Sequence, residues 1–248
     1  MNVMTLDGLA ELEGLIDRAH ADAAVKGIVI TSGKKDFAGG MDLNIIAKMK
    51  DSAGEDPARG LFDGIMGMHA LERKIELAGM DRKTQKGGKP TAAALPGTAL
   101  GIGLEIPLAC RRRFAADNPK AKIGLPEILV GIFPGAGGTT RLSRMLGAMA
   151  AAPYLLEGKL LDPRAAKAAG IVDEVVPGEQ LLEKAREWVL SAQPADLVKP
   201  WDQKGWKMPG GTPYHPAGFM TFVGASAMVN GQTQGVYPAA KALLSAVY

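Results

Sequence analysis

The chain has 248 residues, 47 % of them hydrophobic and 22 % charged, with a formal net charge of +3. This composition is typical of a globular protein and excludes a largely disordered chain, and so small a charge excess argues against nucleic acid as a partner. The single cysteine, Cys110, excludes an intramolecular disulfide and a cysteine-based metal site, and no basic and apolar leader precedes the first helical pattern. We therefore expect a cytoplasmic protein in a reducing compartment.

The first elements predict a strand, a glycine loop and a helix in succession. Thr5 caps a helical pattern that extends to about Ala24, and residues 27–31 predict a short buried strand. The strand leads into the loop SGKKDFAGGMDL, and a helical pattern starts at Leu43. This order of elements directs backbone N–H groups toward a ligand. Apolar spacing then predicts a long helix over residues 61–78.

A second unit of the same kind follows. Residues 91–95 predict a strand, Pro96 and Gly97 a turn, and residues 101–109 a glycine loop that leads into a helix. The stretch from 91 to 110 has the length of a membrane span. Two prolines, three glycines and an acid break it, so it predicts buried soluble core and no membrane span.

The remaining pattern divides the chain at residue 192. It predicts, in order, short strands at 113–116 and 121–124, a helix after the glycine-rich stretch 134–138, two alanine-rich helices to 169, a strand at 171–176 and a helix at 178–191. From Gln193 onward prolines are frequent and apolar residues are few. We therefore assign 1–192 to one domain and 193–248 to a connector that ends in small helices near 216–230 and 238–247.

Two acids, Glu105 and Glu127, stand in apolar surroundings. A buried carboxylate is costly unless it is paired, hydrogen-bonded or protonated. Each could be a structural acid, satisfied by a buried arginine or by backbone donors, and Glu127 after Pro126 could be an ordinary helix-start acid. Together with two glycine loops, however, the pair suits water addition to an α,β-unsaturated thioester, which needs two N–H donors at its oxygen and two carboxyl groups to move protons.

Four segments resemble, in order, the motif blocks of the enoyl-CoA hydratase (crotonase) superfamily: FAGGMDL, KPTAAALPGTALGIGLE, IGLPEILVGIFPGAGGTTRL and LDPRAAKAAGIVDEVV. Within that superfamily they are most similar to the hydratase half of multifunctional β-oxidation proteins, and the tail with PWD and PGG is similar to the connector there. The resemblance implies an α/β fold, a crotonase-like spiral of repeated ββα units with a helical C-terminal extension.

The resemblance also implies a site. Glu105 acts mainly as the base on a catalytic water, and Glu127 as the acid that protonates Cα. The backbone N–H groups of Met41 and Ile102 form an oxyanion hole, and the Gly135 amide helps to hold the water. The positions expected to contact substrate or water are Ala38, Gly40, Asp42, Leu43 and Gly135.

Two features depart from the family pattern. Ile102 stands where the family usually has the middle glycine of GGG, and a β-branched residue does not readily take a positive φ. We therefore expect an altered loop or altered acyl access. The β-hairpin that normally precedes the first helix is absent from residues 1–248, so we expect an internal fragment with an incomplete sheet edge.

The expected activity is hydration of trans-2-enoyl-CoA to 3-hydroxyacyl-CoA in fatty-acid β-oxidation. We expect no metal and no cofactor, since coenzyme A belongs to the substrate and NAD enters only with a dehydrogenase half on the full-length chain. Expected partners are the acyl-CoA thioester, further copies of the chain, a dehydrogenase half and a thiolase subunit. Two alternatives stay open: a Δ3-Δ2 enoyl-CoA isomerase, and a catalytically silent docking domain of a β-oxidation complex.

Weaker signals have simple interpretations. Gly101-x-Gly103 lacks the full dinucleotide-binding pattern. Lys34 and Lys35 suit either CoA phosphates or a solvated turn. The three arginines from Arg111 favour capping of a helix end or pairing with acids over phosphate binding. Asp42 fits a helix N-cap better than a catalytic acid.

Overall fold

Parallel strands form the frame of the fold. In the computed structural model, which describes residues 1–45 and 55–248, one sheet has the order β1-β2-β4-β6, and two short strands, β3 and β5, pair in a second. All of these pairings are parallel. The strands are β1 (Ile28–Thr31), β2 (Thr91–Leu95), β3 (Ala99–Leu100), β4 (Arg112–Ala116), β5 (Ile123–Gly124) and β6 (Glu174–Val176).

The helices follow the predicted order. They are α1 (Leu6–Ala21), α2 (Pro57–Leu77), α3 (Ile102–Ala109), α4 (Gly138–Leu146), α5 (Ala148–Leu156), α6 (Pro163–Ala168), α7 (Leu181–Ser191), α8 (Pro216–Thr233) and α9 (Pro238–Val247), with a 3₁₀-helix at Pro126–Val130. Thr5 caps α1 as predicted, since its side chain accepts from the Gly8 amide. The helical pattern predicted from Leu43 is described only to Ile45, and its remainder lies outside the described residues.

The chain repeats a strand, a second short strand and a helix. β2 leads through β3 into α3, and β4 leads through β5 into the 3₁₀-helix Pro126–Val130. Single bridges extend the second sheet, from Ala38 to Ala99 on one side and from Ile123 to Leu161 on the other. The predicted ββα units are therefore confirmed. Because β3 pairs with β5, the helices that follow them begin side by side.

The core is densest around β2 and α3, in which every residue is buried. α7 covers one face of the larger sheet, where Phe114 and Leu181 belong to one apolar cluster. The pattern of residues 27–31 predicts a buried strand, but β1 is only partly buried because it lies at the edge of the sheet. No helix within the described ranges is long and apolar enough to cross a membrane.

The C-terminal segment packs against the same body. Lys199 is buried, and its Nζ donates to the carbonyls of Leu108 (2.8 Å) and Cys110 (2.7 Å) at the end of α3. The Tyr237 hydroxyl donates to the Ile128 carbonyl. Two residues after position 192 thus hold the helices that carry Glu105 and Glu127, while the division of the chain at that position stays a prediction.

Gly103 allows α3 to approach the loop around Ala38, because a Cβ at this position would lie 2.7 Å from the Ala38 Cβ. We expect Gly103→Ala to lower the free energy of unfolding by about 1–3 kcal/mol through overpacking. The matched control is Gly14→Ala in α1, where nothing lies within 4 Å of the added Cβ. This change should raise stability by up to about 1 kcal/mol. Urea unfolding checks both signs, and equal effects at the two positions would contradict the packing argument.

Candidate active site

Glu105 lies on α3 and is 2 % exposed. Its Oε1 accepts two backbone hydrogen bonds, from the N–H of Ala136 (3.0 Å) and of Gly138 (2.8 Å). Burial raises the pKa of this carboxyl above its ordinary value, and the two amide donors act in the opposite direction because they favour the carboxylate. Glu105 is therefore a buried acid with a built-in site for its negative charge.

Glu127 has a different environment. It lies on the 3₁₀-helix that Pro126 begins, and its Oε2 is buried without a hydrogen-bond partner among the described residues. Burial first, and the negative charge of Glu105 second, raise the pKa of Glu127 to about 8. The backbone amide of Glu127 acts in the opposite direction, but burial dominates, so this carboxyl is mainly the neutral acid at neutral pH.

The structure brings these two acids together around Gly101. The Gly101 carbonyl accepts the Glu105 amide at 3.0 Å, and a Cβ on Gly101 would lie 3.1 Å from Oε1 of Glu127. Interacting acids of this kind titrate as a pair. With amide donors at Glu105 and none at Oε2 of Glu127, we infer one negative charge on Glu105 and one proton on Glu127.

The loop that carries Met41 runs beside α3. The Gly40 carbonyl accepts the Met4 amide (2.9 Å), and the Asp42 amide donates to the Met4 carbonyl (3.1 Å). The Met41 N–H therefore lies between two backbone groups that are already hydrogen-bonded to Met4. In the described part of the chain the backbone hydrogen bonds do not use the N–H of Met41, nor that of Ile102, the first residue of α3. Among the described residues, both N–H groups are thus without a backbone acceptor, and their role as oxyanion donors stays a prediction.

Ile102 does not take the strained conformation expected from its β-branched side chain. The positive φ falls on the preceding residue, Gly101 (φ +56°), and Ile102 begins the helix. Its side chain is 5 % exposed and packs in the main apolar cluster. The expectation of an altered backbone was wrong, because the loop needs glycine one position earlier.

The other predicted site positions differ in their contacts and in their exposure to solvent. Asp42 caps the turn that starts at Leu43, since its Oδ1 accepts the Asn44 amide at 2.8 Å, which confirms the N-cap interpretation. Ala38 is 1 % exposed, whereas Leu43 is 61 % exposed. Gly135 adjoins the turn that binds Glu105, and a Cβ there would lie 3.4 Å from Ile65 Cδ1 on α2.

Sequence reasoning missed a buried ionic cluster behind this turn. Arg141 on α4 contacts Glu72 and Glu76 on α2, and all three side chains are at most 7 % exposed. The signal was present in the spacing, because two acids four residues apart flank the apolar positions Leu71 and Ile75 of a long helix. Two acids four residues apart on a helix usually predict a face exposed to solvent. Here Arg141 on α4 packs against them, and they are buried.

The basic residues named in the sequence analysis differ in their partners and in their exposure to solvent. Arg113 pairs with Asp173 at 2.7 Å and Arg112 with Glu174 at 3.3 Å, which confirms the predicted pairing for these two arginines. The prediction is wrong for Arg111, whose guanidinium nitrogens are buried without a hydrogen-bond partner among the described residues. Lys34 and Lys35 are exposed in the first loop. Among residues 1–45 and 55–248, His, Cys, Asp and Glu side chains form no group of three that could hold a metal ion.

Comparison with known proteins gives a consistent picture. The profile of a family described as "Enoyl-CoA hydratase/isomerase" matches residues 1–197. The chain is 35 % identical to the fatty acid oxidation complex subunit alpha of Shewanella loihica, across 100 % of this chain and 33 % of that relative. It is 34 % identical to the glyoxysomal fatty acid beta-oxidation multifunctional protein MFP-a of Cucumis sativus, across 81 % of this chain and 25 % of that relative. The chain thus spans about a third or less of these curated relatives.

Solved structures show the same fold. An enoyl-CoA hydratase from Thermoplasma volcanium superposes with a TM-score of 0.64 and 32 % identity, across 79 % of this chain and 71 % of that one. An enoyl-CoA hydratase from Bacillus anthracis gives a TM-score of 0.61 and 30 % identity, across 77 % and 69 %. The spiral of ββα units is therefore the crotonase fold.

The raised pKa of Glu127 predicts a specific stability profile. A carboxyl whose pKa rises from 4.5 to about 8 on folding costs stability as pH increases between these values. Glu127→Gln removes this cost, so the variant should gain on the order of 3–5 kcal/mol relative to the parent between pH 4.5 and pH 9. Urea unfolding across this range measures the difference, with the exposed Glu157→Gln as control. Parallel profiles for parent and Glu127→Gln would contradict the assignment.

Proposed function

The chain belongs to the enoyl-CoA hydratase/isomerase family, and from that premise we propose that it adds water to a trans-2-enoyl-CoA thioester to give the 3-hydroxyacyl-CoA. The observation that carries the proposal is the placement of Glu105 and Glu127 around Gly101, beside two backbone N–H groups without a backbone acceptor among the described residues. Relatives named for fatty-acid oxidation support the same reaction class.

The reaction needs a base, an acid and a place for negative charge. Water attacks Cβ of the conjugated thioester and gives up a proton to a carboxylate, while the electrons of the Cα–Cβ double bond move toward the thioester oxygen. The enolate-like intermediate then takes a proton at Cα. One oxygen–carbon and one carbon–hydrogen bond form, while one O–H bond of the water and the Cα–Cβ π bond break. The proton taken by the base returns to the acid before the next turnover, so one water is consumed and no electrons enter or leave.

The two acids suit different halves of this step. Glu105, whose carboxylate accepts two amides, is the base on water. Glu127, whose pKa of about 8 keeps it protonated at neutral pH, is the donor to Cα. This assignment follows the rule that paired acids in different environments take opposite roles.

The backbone donors suit the thioester oxygen. The N–H of Ile102 lies at the start of α3, where the first amides of a helix have no intrahelical acceptor and the helix dipole favours negative charge. The N–H of Met41 belongs to the neighbouring loop, whose Gly40 Cα would lie 3.7 Å from a Cβ on Gly101. Two such donors stabilise an oxyanion in a water-poor site.

The proposal also covers the substrate, the pathway and the partners. The substrate is a fatty acyl-CoA and the reaction is a step of β-oxidation in a reducing compartment. The resemblance to multifunctional β-oxidation proteins suggests a dehydrogenase half and a thiolase subunit as partners. The same resemblance suggests that the Gly135 amide and Leu43 contact water or substrate. No cofactor is needed beyond the coenzyme A of the substrate.

The direct test is loss of the conjugated enoyl-thioester absorbance with purified protein and trans-2-enoyl-CoA. We expect turnover that falls by about 10²–10⁴ in Glu105→Gln and in Glu127→Gln, because each removes one proton-transfer group. Glu157→Gln on the surface serves as the matched control. Turnover equal in parent and both site variants would end the proposal.

Two further assays separate the alternatives. Formation of conjugated product from 3-enoyl-CoA, without hydration of trans-2-enoyl-CoA, would indicate an isomerase. The absence of any turnover, together with no rise in melting temperature at saturating acyl-CoA, would indicate a docking domain, since a ligand that binds the folded state must stabilise it.

The backbone N–H of Ile102, the proposed oxyanion donor, can be removed by substitution with proline. Ile102 is the first residue of α3, where proline is well tolerated, so Ile102→Pro deletes the N–H with little cost to the helix. We expect kcat to fall by about 10²–10³. Ile102→Ala keeps the N–H and should stay within about tenfold of the parent. Equal losses in the two variants would show that the side chain matters and the amide does not.

A further inference from the structure

Arg141 is a buried cation on the first turn of α4. Its Nη1 lies 2.5 Å from Oε2 of Glu72, and its Nε and Nη2 lie 3.3 Å from the two oxygens of Glu76. Arg73 and Asp202 continue the network, because Arg73 contacts Glu76 at 2.7 Å and Asp202 at 2.7 and 2.9 Å. The guanidinium is therefore held in one orientation from α2.

Only one layer of backbone separates this guanidinium from the Glu105 carboxylate. The amides of Ala136 and Gly138 donate to Glu105, and the amide of the residue between them, Gly137 (φ +126°), also favours the Glu105 carboxylate, whereas a Cβ on Gly137 would point to the opposite side of the turn. A Cβ on Gly137 would lie 2.1 Å from Nη1 of Arg141, so no larger residue fits there. The turn is fixed between a carboxylate on one face and a guanidinium on the other.

Charges from three elements face Glu105. Glu127 approaches from the 3₁₀-helix and Glu72 from α2, both as acids, and Arg141 from α4 as a cation. Burial raises the pKa of Glu105, and the charge of Arg141 lowers it. Burial first, and the charge of Glu105 second, raise the pKa of Glu72, against which Arg141 acts. His69 on α2 also faces Arg141, but burial lowers its pKa below 6.5, which keeps it neutral at neutral pH.

We propose that Arg141 is a positioning residue for Glu105: clamped by Glu72 and Glu76, its guanidinium fixes the turn whose amides hold the Glu105 carboxylate and places a positive charge behind that turn. Arg141 touches no reacting atom and acts through the turn and through Glu105. The kinetic consequence rests on the proposed function, whereas the charge state of Glu105 can be measured without turnover.

The kinetic test compares Arg141→Gln and Arg141→Lys with the parent. Glu105 works as the base in its ionised form, so activity falls as pH decreases through its pKa. Loss of the cation in Arg141→Gln should move this acid limb of kcat/KM to higher pH by about one unit or more. At pH 7 kcat should decrease at least about tenfold, with KM within about threefold. Arg141→Lys should return the limb toward the parent position, because it keeps the charge.

Glu72→Gln provides a second variant with the opposite expected sign. It retains an oxygen that accepts from Arg141 but removes a negative charge that faces Glu105, so the acid limb should move to lower pH. If Arg141→Gln does not fold, this variant and Arg141→Lys carry the test. The exposed pair partner Arg164, as Arg164→Gln, is the control and should leave the profile unchanged.

Carbon-13 NMR of glutamate-labelled protein gives the readout that is independent of turnover. The Glu105 carboxyl, assigned with Glu105→Gln, should titrate at higher pH in Arg141→Gln than in the parent. An inactive parent in which this shift occurs would refute the proposed function and leave the role of Arg141 intact. An unmoved Glu105 titration and an unmoved acid limb in folded variants would overturn the role of Arg141.

Discussion

The site depends on two backbone hydrogen bonds to one carboxylate oxygen. Oε1 of Glu105 accepts from Ala136 and Gly138 in a place where the side chain is 2 % exposed. Without these donors, two neighbouring acids in apolar surroundings would both remain neutral, because each unpaired charge would be strongly disfavoured. With them, Glu105 has donors for a negative charge that Oε2 of Glu127 lacks. The proposed roles of base and acid therefore rest on the backbone of a single turn.

Several elements of the fold position the helix that carries Glu105. β3 and β5 are only two residues each, yet their pairing places the start of α3 beside the 3₁₀-helix of Glu127. α3 is then fixed at its start by Gly101 and at its end by the buried ammonium of Lys199. Residues far apart in the chain, including Lys199 in the segment after 192, thus hold the short helix α3 in place.

Much of this was readable from the sequence, for reasons that are local. Alternation of apolar residues and capping by Thr5 predict helices and strands because these signals act over a few residues. The family resemblance and the unusual apolar surroundings of Glu105 and Glu127 pointed to two acids that the structure places on either side of Gly101, and their catalytic roles stay a prediction. The convergence of the pair was not readable, because it depends on two-residue strands. The buried contacts of Glu72 and Lys199 were missed because acids and lysines on polar-looking segments normally face solvent.

The central claim is that, at neutral pH, the pair holds one charge on Glu105 and one proton on Glu127. Infrared difference spectroscopy at pH 7, parent against each glutamine variant, tests it most directly. The account predicts that Glu127→Gln removes a carbonyl band of a neutral carboxylic acid, and that Glu105→Gln removes a carboxylate band. Loss of carboxylate bands in both variants, or of the neutral band with Glu105→Gln, would contradict it.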